Sequence, residues 1–340
     1  MYKRMKTVLV IILCLIILMV VVAFAIGIGQ TYIDPQTVLT ILLSPLLDTT
    51  QTWSSAEQTI ITEIRLPRVI LAASVGCGLA ISGTALQSLF RNPMADPFIL
   101  GISNGAALGA TIIILYGTSI LLGKYNLPFF AFTGSLITVA VVYQIARTGN
   151  KIPVNTLLLS GIAISAFLSA VTSFIMFTSN SSLNHILFWM MGGLSGRGWD
   201  YVWMCLPFTL IGCALILMHC RDMNVMMFGE ESAQYLGVNV EKIKKRLLIT
   251  AAIITGAAVA VSGVIGFVGL IIPHIIRLIV GPDHRVLLPV SAICGALFLV
   301  SADLVARIII APAEMPLGVI TAMIGGPFFL YLLKSRKGEL

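Results

Sequence analysis

Residues 221–246 read RDMNVMMFGEESAQYLGVNVEKIKKR, the one long polar stretch in the C-terminal two thirds of an otherwise apolar chain. Nine of its 26 residues are charged, from Arg221 and Asp222 to Lys245 and Arg246. Gly229 and Gly237 bracket a helix-capable piece, Glu230-Glu231-Ser232-Ala233-Gln234-Tyr235-Leu236. Its acids stand at the start, where a helix dipole favours them. Met223, Met226, Met227 and Phe228 are expected to supply an adaptable apolar surface just ahead. A polar face that keeps apolar anchors suits docking against a soluble partner. A solvated interhelical loop is the plainer alternative.

The surroundings of this stretch set the fold class. The 340 residues are 58% hydrophobic and 10% charged, with mean hydropathy +1.01. Soluble domains carry about 25% charged residues, so the chain is read as an all-α, polytopic membrane protein forming a single domain over 1–340. Cys14, Cys77, Cys205, Cys213, Cys220 and Cys294 lie in or beside apolar runs with no C-x-x-C pair. They are read as small buried residues, not disulfides or metal ligands, and no metal site is expected. The apolar run after Lys3, Arg4 and Lys6 is long enough to span, and is read as a retained first helix rather than a cleaved leader.

Hydropathy predicts ten spans, at 7–28, 66–90, 101–122, 128–146, 153–178, 201–220, 247–263, 267–280, 287–309 and 317–333. A polar outer loop is expected through Glu63, and Pro67 is placed at a helix start, where it costs little. Gly101, Gly105 and Gly109 recur at four-residue spacing, which lets another helix backbone come close. Residues 184–191 are apolar but too short to span, and Gly192-Gly193 ends them, so a half-helix is expected there. With both termini on the cytoplasmic side, 16 basic residues fall inside and five outside: Arg65, Arg68, Lys124, Arg197 and Arg307. That bias puts 221–246 in the cytoplasm. A shift of 180 residues superposes Ala72, Gly76, Ala80, Ser82, Gly83 and Pro93 on Ala252, Gly256, Ala260, Ser262, Gly263 and Pro273. The two halves would then be inverted repeats, as in many transport folds.

Catalytic patterns are missing. The nearest approach to a P-loop, Gly117 to Gly123-Lys124-Tyr125, has five intervening residues and no Ser or Thr after the lysine. Neither H-E-x-x-H nor G-x-S-x-G occurs, and nothing points to nucleic acid. Asp303 is the one clear intramembrane acid, with Arg307 one turn on as an i, i+4 partner. A gradient-driven carrier usually needs more buried ionisable groups than this, so an external source of energy is expected. A gradient-driven carrier stays as the alternative, and a membrane-embedded enzyme is disfavoured. Arg65, Arg68 and Arg307 sit at outer span ends, where they suit either an acidic external partner or lipid headgroups.

Longer strings carry a resemblance. RLPRVILAASVGCGLAISGTALQSLFRNPMADPFILGISNGAALGA, FWMMGGLSG, FGEESAQYLGV, GVIGFVGLIIPHIIRLIVGPDHRVLLPVSA and ADLVARIIIAPAEMPLGVITAMIGGPFF together span 65–329. The chain resembles the permease family of type II ABC importers for iron–siderophore, haem and cobalamin. The likeness to cobalamin-importer permeases is particular in WMMGG and DHRVLLP. The resemblance implies a homodimer of ten-helix permease subunits in the inner membrane, driven by two cytoplasmic ATPases and supplied by an extracytoplasmic binding protein. ATP and magnesium would bind those ATPases, leaving this chain without a cofactor of its own. Carried over, Arg65, Arg68 and Arg307 would receive acidic residues of the binding protein. Gly229, Glu230, Glu231, Ala233, Gln234, Leu236 and Gly237 would form the coupling helix seated on the ATPase. Val154 and Asn155 would form the inner gate, although Pro153-Val154-Asn155-Thr156 departs from the serine/threonine-rich turn of cobalamin-importer permeases. The cargo stays open between iron chelate, haem, cobalamin and a metal oxyanion.

Overall fold

The computed structural model describes residues 2–29, 31–44, 51, 53–117, 123–179 and 183–335. These fold into α1 (Tyr2–Gly27), α2 (Pro35–Leu43), α3 (Ser55–Thr59), α4 (Leu66–Leu89), α5 (Ile102–Tyr116), α6 (Asn126–Ala146), α7 (Val154–Thr178) and α8 (Leu183–Met190). There follow α9 (Trp199–Met218), α10 (Cys220–Met226), α11 (Glu230–Tyr235), α12 (Val240–Ser262), α13 (Val268–Val280), α14 (His284–Ile308) and α15 (Leu317–Ser335). Each of the ten apolar runs contains a helix. Seven helical runs among the described residues are long and apolar enough to cross a bilayer, while α5, α13 and α15 are apolar but shorter. Residues 118–122 of the third run lie outside the described residues, as do Arg336, Lys337 and the side chains of Lys3, Arg4 and Lys6.

Helix α4 is the internal post. Of its apolar window, 83% is buried, against 17% for α7 and 11% for α1, so α1 and α7 turn most of their surface outward. The small residues of α4 explain its position. A Cβ on Gly76 would strike the Gly295 carbonyl of α14, and one on Gly83 the Gly269 carbonyl of α13. The related glycine of α12, Gly256, lies against Ser135 of α6. Each half thus packs its first repeated helix on the third helix of the other half. α12 runs opposite to α4, as Ser262 at its end shares a pocket with Arg68 at the start of α4. Both features fit inverted halves.

Three expectations are corrected. The segment before Arg65 is not an extended polar loop: α2 buries Val38 and Ile41, and a capping box of Ser54 and Glu57 starts a helical run at Ser55. The second span's helical run therefore begins at Ser55 rather than 66, and Pro67, though at the first positions of α4, has helix on both sides. The run widens into a π-type turn over Ile60–Arg65, closed by the Leu66 N–H to the Ile61 carbonyl. That wider turn relieves the clash a proline ring makes with the carbonyl four residues back. Finally, α12 starts at Val240, not at 247, so the last part of the polar stretch is already helix.

The four-residue glycine pattern divides in two. Gly105 and Gly109 press α5 onto Gly134, Thr138 and Phe130 of α6, as expected. Gly101 does not belong to the helix: it caps it, at φ +78°, where a side chain would be strained.

Candidate functional site

At one end of the molecule the expected outer arginines converge, but inward. Arg65, Arg68 and Arg307 are 5%, 7% and 4% exposed, and Asp303 between them 1%. The Arg68 Nε donates to Asp303 Oδ1 at 3.0 Å, and its Nη1 to both Glu314 oxygens at 3.0 Å. Arg307 reaches Asp303 Oδ2 at 3.2 Å and donates from Nη2 to the Ala25 carbonyl at 3.0 Å. The Arg65 Nη1, carried on the π-type turn, donates to the carbonyls of Ile26 (2.9 Å) and Gly27 (2.6 Å), and its Nη2 bonds the Thr31 carbonyl. Their donors are thus engaged within the chain, and Asp303 holds two arginines rather than Arg307 alone. An exposed arginine surface is not what the fold provides here.

A cavity of about 370 Å³ opens beside this network, with Arg68, His185, Trp189, Arg197, Asp303 and Glu314 among its walls. Its frame is stitched by backbone bonds. The Gly193 N–H meets the Ser262 carbonyl at 2.7 Å, and the Leu317 and Gly318 N–H groups meet the carbonyls of Gly192 (2.9 Å) and Met191 (3.0 Å). The short α8 is the expected half-helix, and its end is pinned to the ends of α12 and α15 by these bonds. Burial pushes the Glu314 carboxyl upward, but the hydrogen bonds and charge of Arg68, with Ser195 and Arg307, outweigh it and hold it below its ordinary value. Stability from this pair is therefore complete above the ordinary carboxylate range and is lost as pH falls through the lowered value. Glu314→Gln should lower the melting temperature at pH 7, and the difference from the native protein should shrink below the ordinary carboxylate range. A pH series of thermal melts in detergent measures it.

At the opposite end lies the polar stretch. Gly229 (φ +117°) and Gly237 (φ +86°) bracket α11 as expected. Gly237 and Val238 close it by donating to the Gln234 (2.9 Å) and Ala233 (3.0 Å) carbonyls, a glycine-dependent helix stop. The expected apolar anchors divide: Met227 and Phe228 are exposed, the other two methionines are not. Met223 and Met226 are buried in the core, and Ala233 is fully buried, so none of the three offers a contact surface. Phe228, Tyr235 and Leu236, at 80%, 92% and 70% exposure, form the projecting apolar tip, with Glu231 and Gln234 also exposed.

Behind that tip is a charged cluster that spacing along the chain did not reveal. Lys244 on α12 is buried, with its Nζ 2.6 Å from Glu230 Oε2 and 3.3 Å from Glu241 Oε1. Glu241 Oε2 accepts the Ile152 N–H at 2.9 Å, two residues before Val154 at the start of α7. Val154 is half-buried and Asn155 exposed. Asn224 of α10 fastens the same end to α14, bonding Asp283 Oδ1 (2.6 Å) and the His284 N–H (2.8 Å). Among the described residues no group of three His, Cys, Asp or Glu side chains is placed to hold a metal ion.

Comparison with known proteins gives one consistent grouping. The model of the FecCD transport family matches residues 16–335. A cobalamin import system permease of Halobacterium salinarum is 51% identical over 280 residues, 82% of this chain and 74% of that one. A hemin transport system permease of Yersinia pestis is 47% identical, over 81% of this chain and 83% of its own length. A solved structure described as a metal-chelate-type ABC transporter, in an inward-facing conformation, superposes with TM-score 0.83 at 30% identity, over 96% of this chain and 98% of that one.

Proposed function

This chain belongs to the FecCD transport family, and from that premise we propose that it is the membrane-spanning permease subunit of an ABC importer for a metal chelate. The observation that carries the reading is a projecting tip: Tyr235 and Leu236 at the end of a short helix fixed between two glycines, with Phe228 just ahead of the first. Large apolar side chains held out from a polar end are the anchors a cleft in a soluble partner requires. In this reading the partner is a cytoplasmic ATPase, one for each of two copies of the chain, carrying the ATP and magnesium. An extracytoplasmic binding protein delivers the chelate to the end bearing the 370 Å³ cavity. The protein resides in the inner membrane with both termini in the cytoplasm. Because the arginines are internally paired, they support docking by shaping that end rather than by reaching out to the binding protein. The relatives named for cobalamin and hemin make those two compounds the first cargoes to assay.

The test is a double substitution at the tip, Tyr235→Asp with Leu236→Asp. Both residues are exposed, so the subunit should fold and melt as the native chain does. Loss of two anchors typically costs about 2–4 kcal/mol, so affinity for the ATPase should fall roughly 30-fold or more. Pull-down of the ATPase and ATP-dependent uptake both read this. Unchanged affinity and uptake would refute the assignment.

A further inference from the structure

We propose, on the importer reading above, that Lys244 is a positioning residue that ties the motion of α11 to the start of α7. The side chain of Lys244 is 3% exposed, yet its ammonium faces carboxylates from two elements, Glu230 on α11 and Glu241 on its own helix. Its Nζ also lies 3.5 Å from the Ile152 carbonyl, while Glu241 takes the Ile152 N–H. Both backbone groups of one residue are thus held by the same ion cluster.

Ile152 is itself buried, and Pro153 caps the first turn of α7 directly after it. The turn ahead of it is stiff: Thr148 and Lys151 exchange backbone hydrogen bonds of 3.0 and 3.1 Å, and the Arg147 Nε donates to the Gly149 carbonyl at 2.7 Å. A displacement of Glu230 is therefore passed to Lys244, to Glu241 and to Ile152 through bonds rather than through a compressible loop.

The position argues for the charge. Val240, Ile243, Leu247 and Leu248 form the buried stripe of α12, and Lys244 occupies a place in that stripe. An aliphatic residue would fill it and pack. A buried ion pair gives little net stability over such a replacement, whereas its directional bonds can follow a moving partner. Coupling of this kind requires the two ends to shift together between states.

The experiment uses the complete complex, chain plus ATPase and binding protein, in proteoliposomes. Lys244→Met keeps the packing and removes the ammonium; Lys244→Arg keeps a cation within reach of both carboxylates. We expect Lys244→Met to hydrolyse ATP but to lose roughly tenfold in uptake per ATP, within the usual range for coupling between sites. Lys244→Arg should restore most of it. Spin labels at exposed Lys151 in the two copies should change separation on ATP binding in the native complex and not in Lys244→Met. A packing role would give the reverse order, with Met tolerated and Arg not. Native uptake per ATP in Lys244→Met, with the label shift intact, would overturn the relay. If Lys244→Met does not assemble, Glu230→Gln leaves the Lys244–Glu241 pair in place, and unchanged coupling there overturns it equally. A native complex with no ATP-dependent uptake would instead sink the importer reading.

Discussion

Arg68→Met should destabilise the subunit by about 3–5 kcal/mol, the usual cost of removing one partner from a buried ion pair. Arg68 bridges α4, α14 and the loop before α15, through Asp303 and Glu314. Without it, Asp303 keeps only Arg307, and Glu314 loses the guanidinium that chelates both its oxygens. The apolar setting makes an uncompensated carboxylate expensive. Arg68→Lys should cost less, because a single ammonium keeps the charge but cannot serve both carboxylates in the geometry of the planar fork. Thermal melting in detergent, with recovery of folded subunit by size exclusion, measures both variants. A melting temperature unchanged by Arg68→Met would show that the network contributes nothing to holding the three segments. Charge reversal at this arginine should likewise fail through folding, before any effect on docking can be read.

The second large effect is expected at Gly83. A Cβ built there would meet the carbonyl oxygen, carbonyl carbon and Cα of Gly269, all of them backbone. No side chain is present to swing away, so α4 and α13 must separate. Gly83→Val should therefore cost at least the 1–3 kcal/mol typical of overpacking, and is expected to abolish recovery of folded subunit. Gly326 supplies the opposite control. It lies within α15 with no other helix inside 4 Å of its missing Cβ, so Gly326→Ala should cost far less than Gly83→Val, the ring of Pro327 directly after it setting the only local crowding. Equal behaviour of the two variants would contradict the close-approach account of the helix core.

Much of this architecture was legible in local sequence. Hydropathy found the ten apolar runs, the two glycines marked α11, and the short run ended by Gly192-Gly193 marked α8. What was not legible depends on distant partners. Arg68 meets Asp303 and Glu314 from 235 and 246 residues away, so span-end position suggested exposed arginines where the fold buries them. Pro67 is the more conspicuous start signal, yet the capping box of Ser54 and Glu57 begins the helical run ahead of it. Lys244 is the instructive miss: it stands in the apolar stripe of α12, and a lysine at such a position is a signal that periodicity alone can expose. Met223 and Met226 failed differently, since an apolar residue beside a docking helix serves equally well as its anchor or as its support.

The most direct test asks what drives the cargo. The subunit, its ATPase and its binding protein should be reconstituted together, and uptake of a labelled chelate followed with ATP inside the vesicles, with an ionophore, and with the ATPase omitted. Uptake that needs ATP and the ATPase, and is indifferent to the ionophore, is the predicted result. Uptake that persists without the ATPase and collapses with the ionophore would contradict the account.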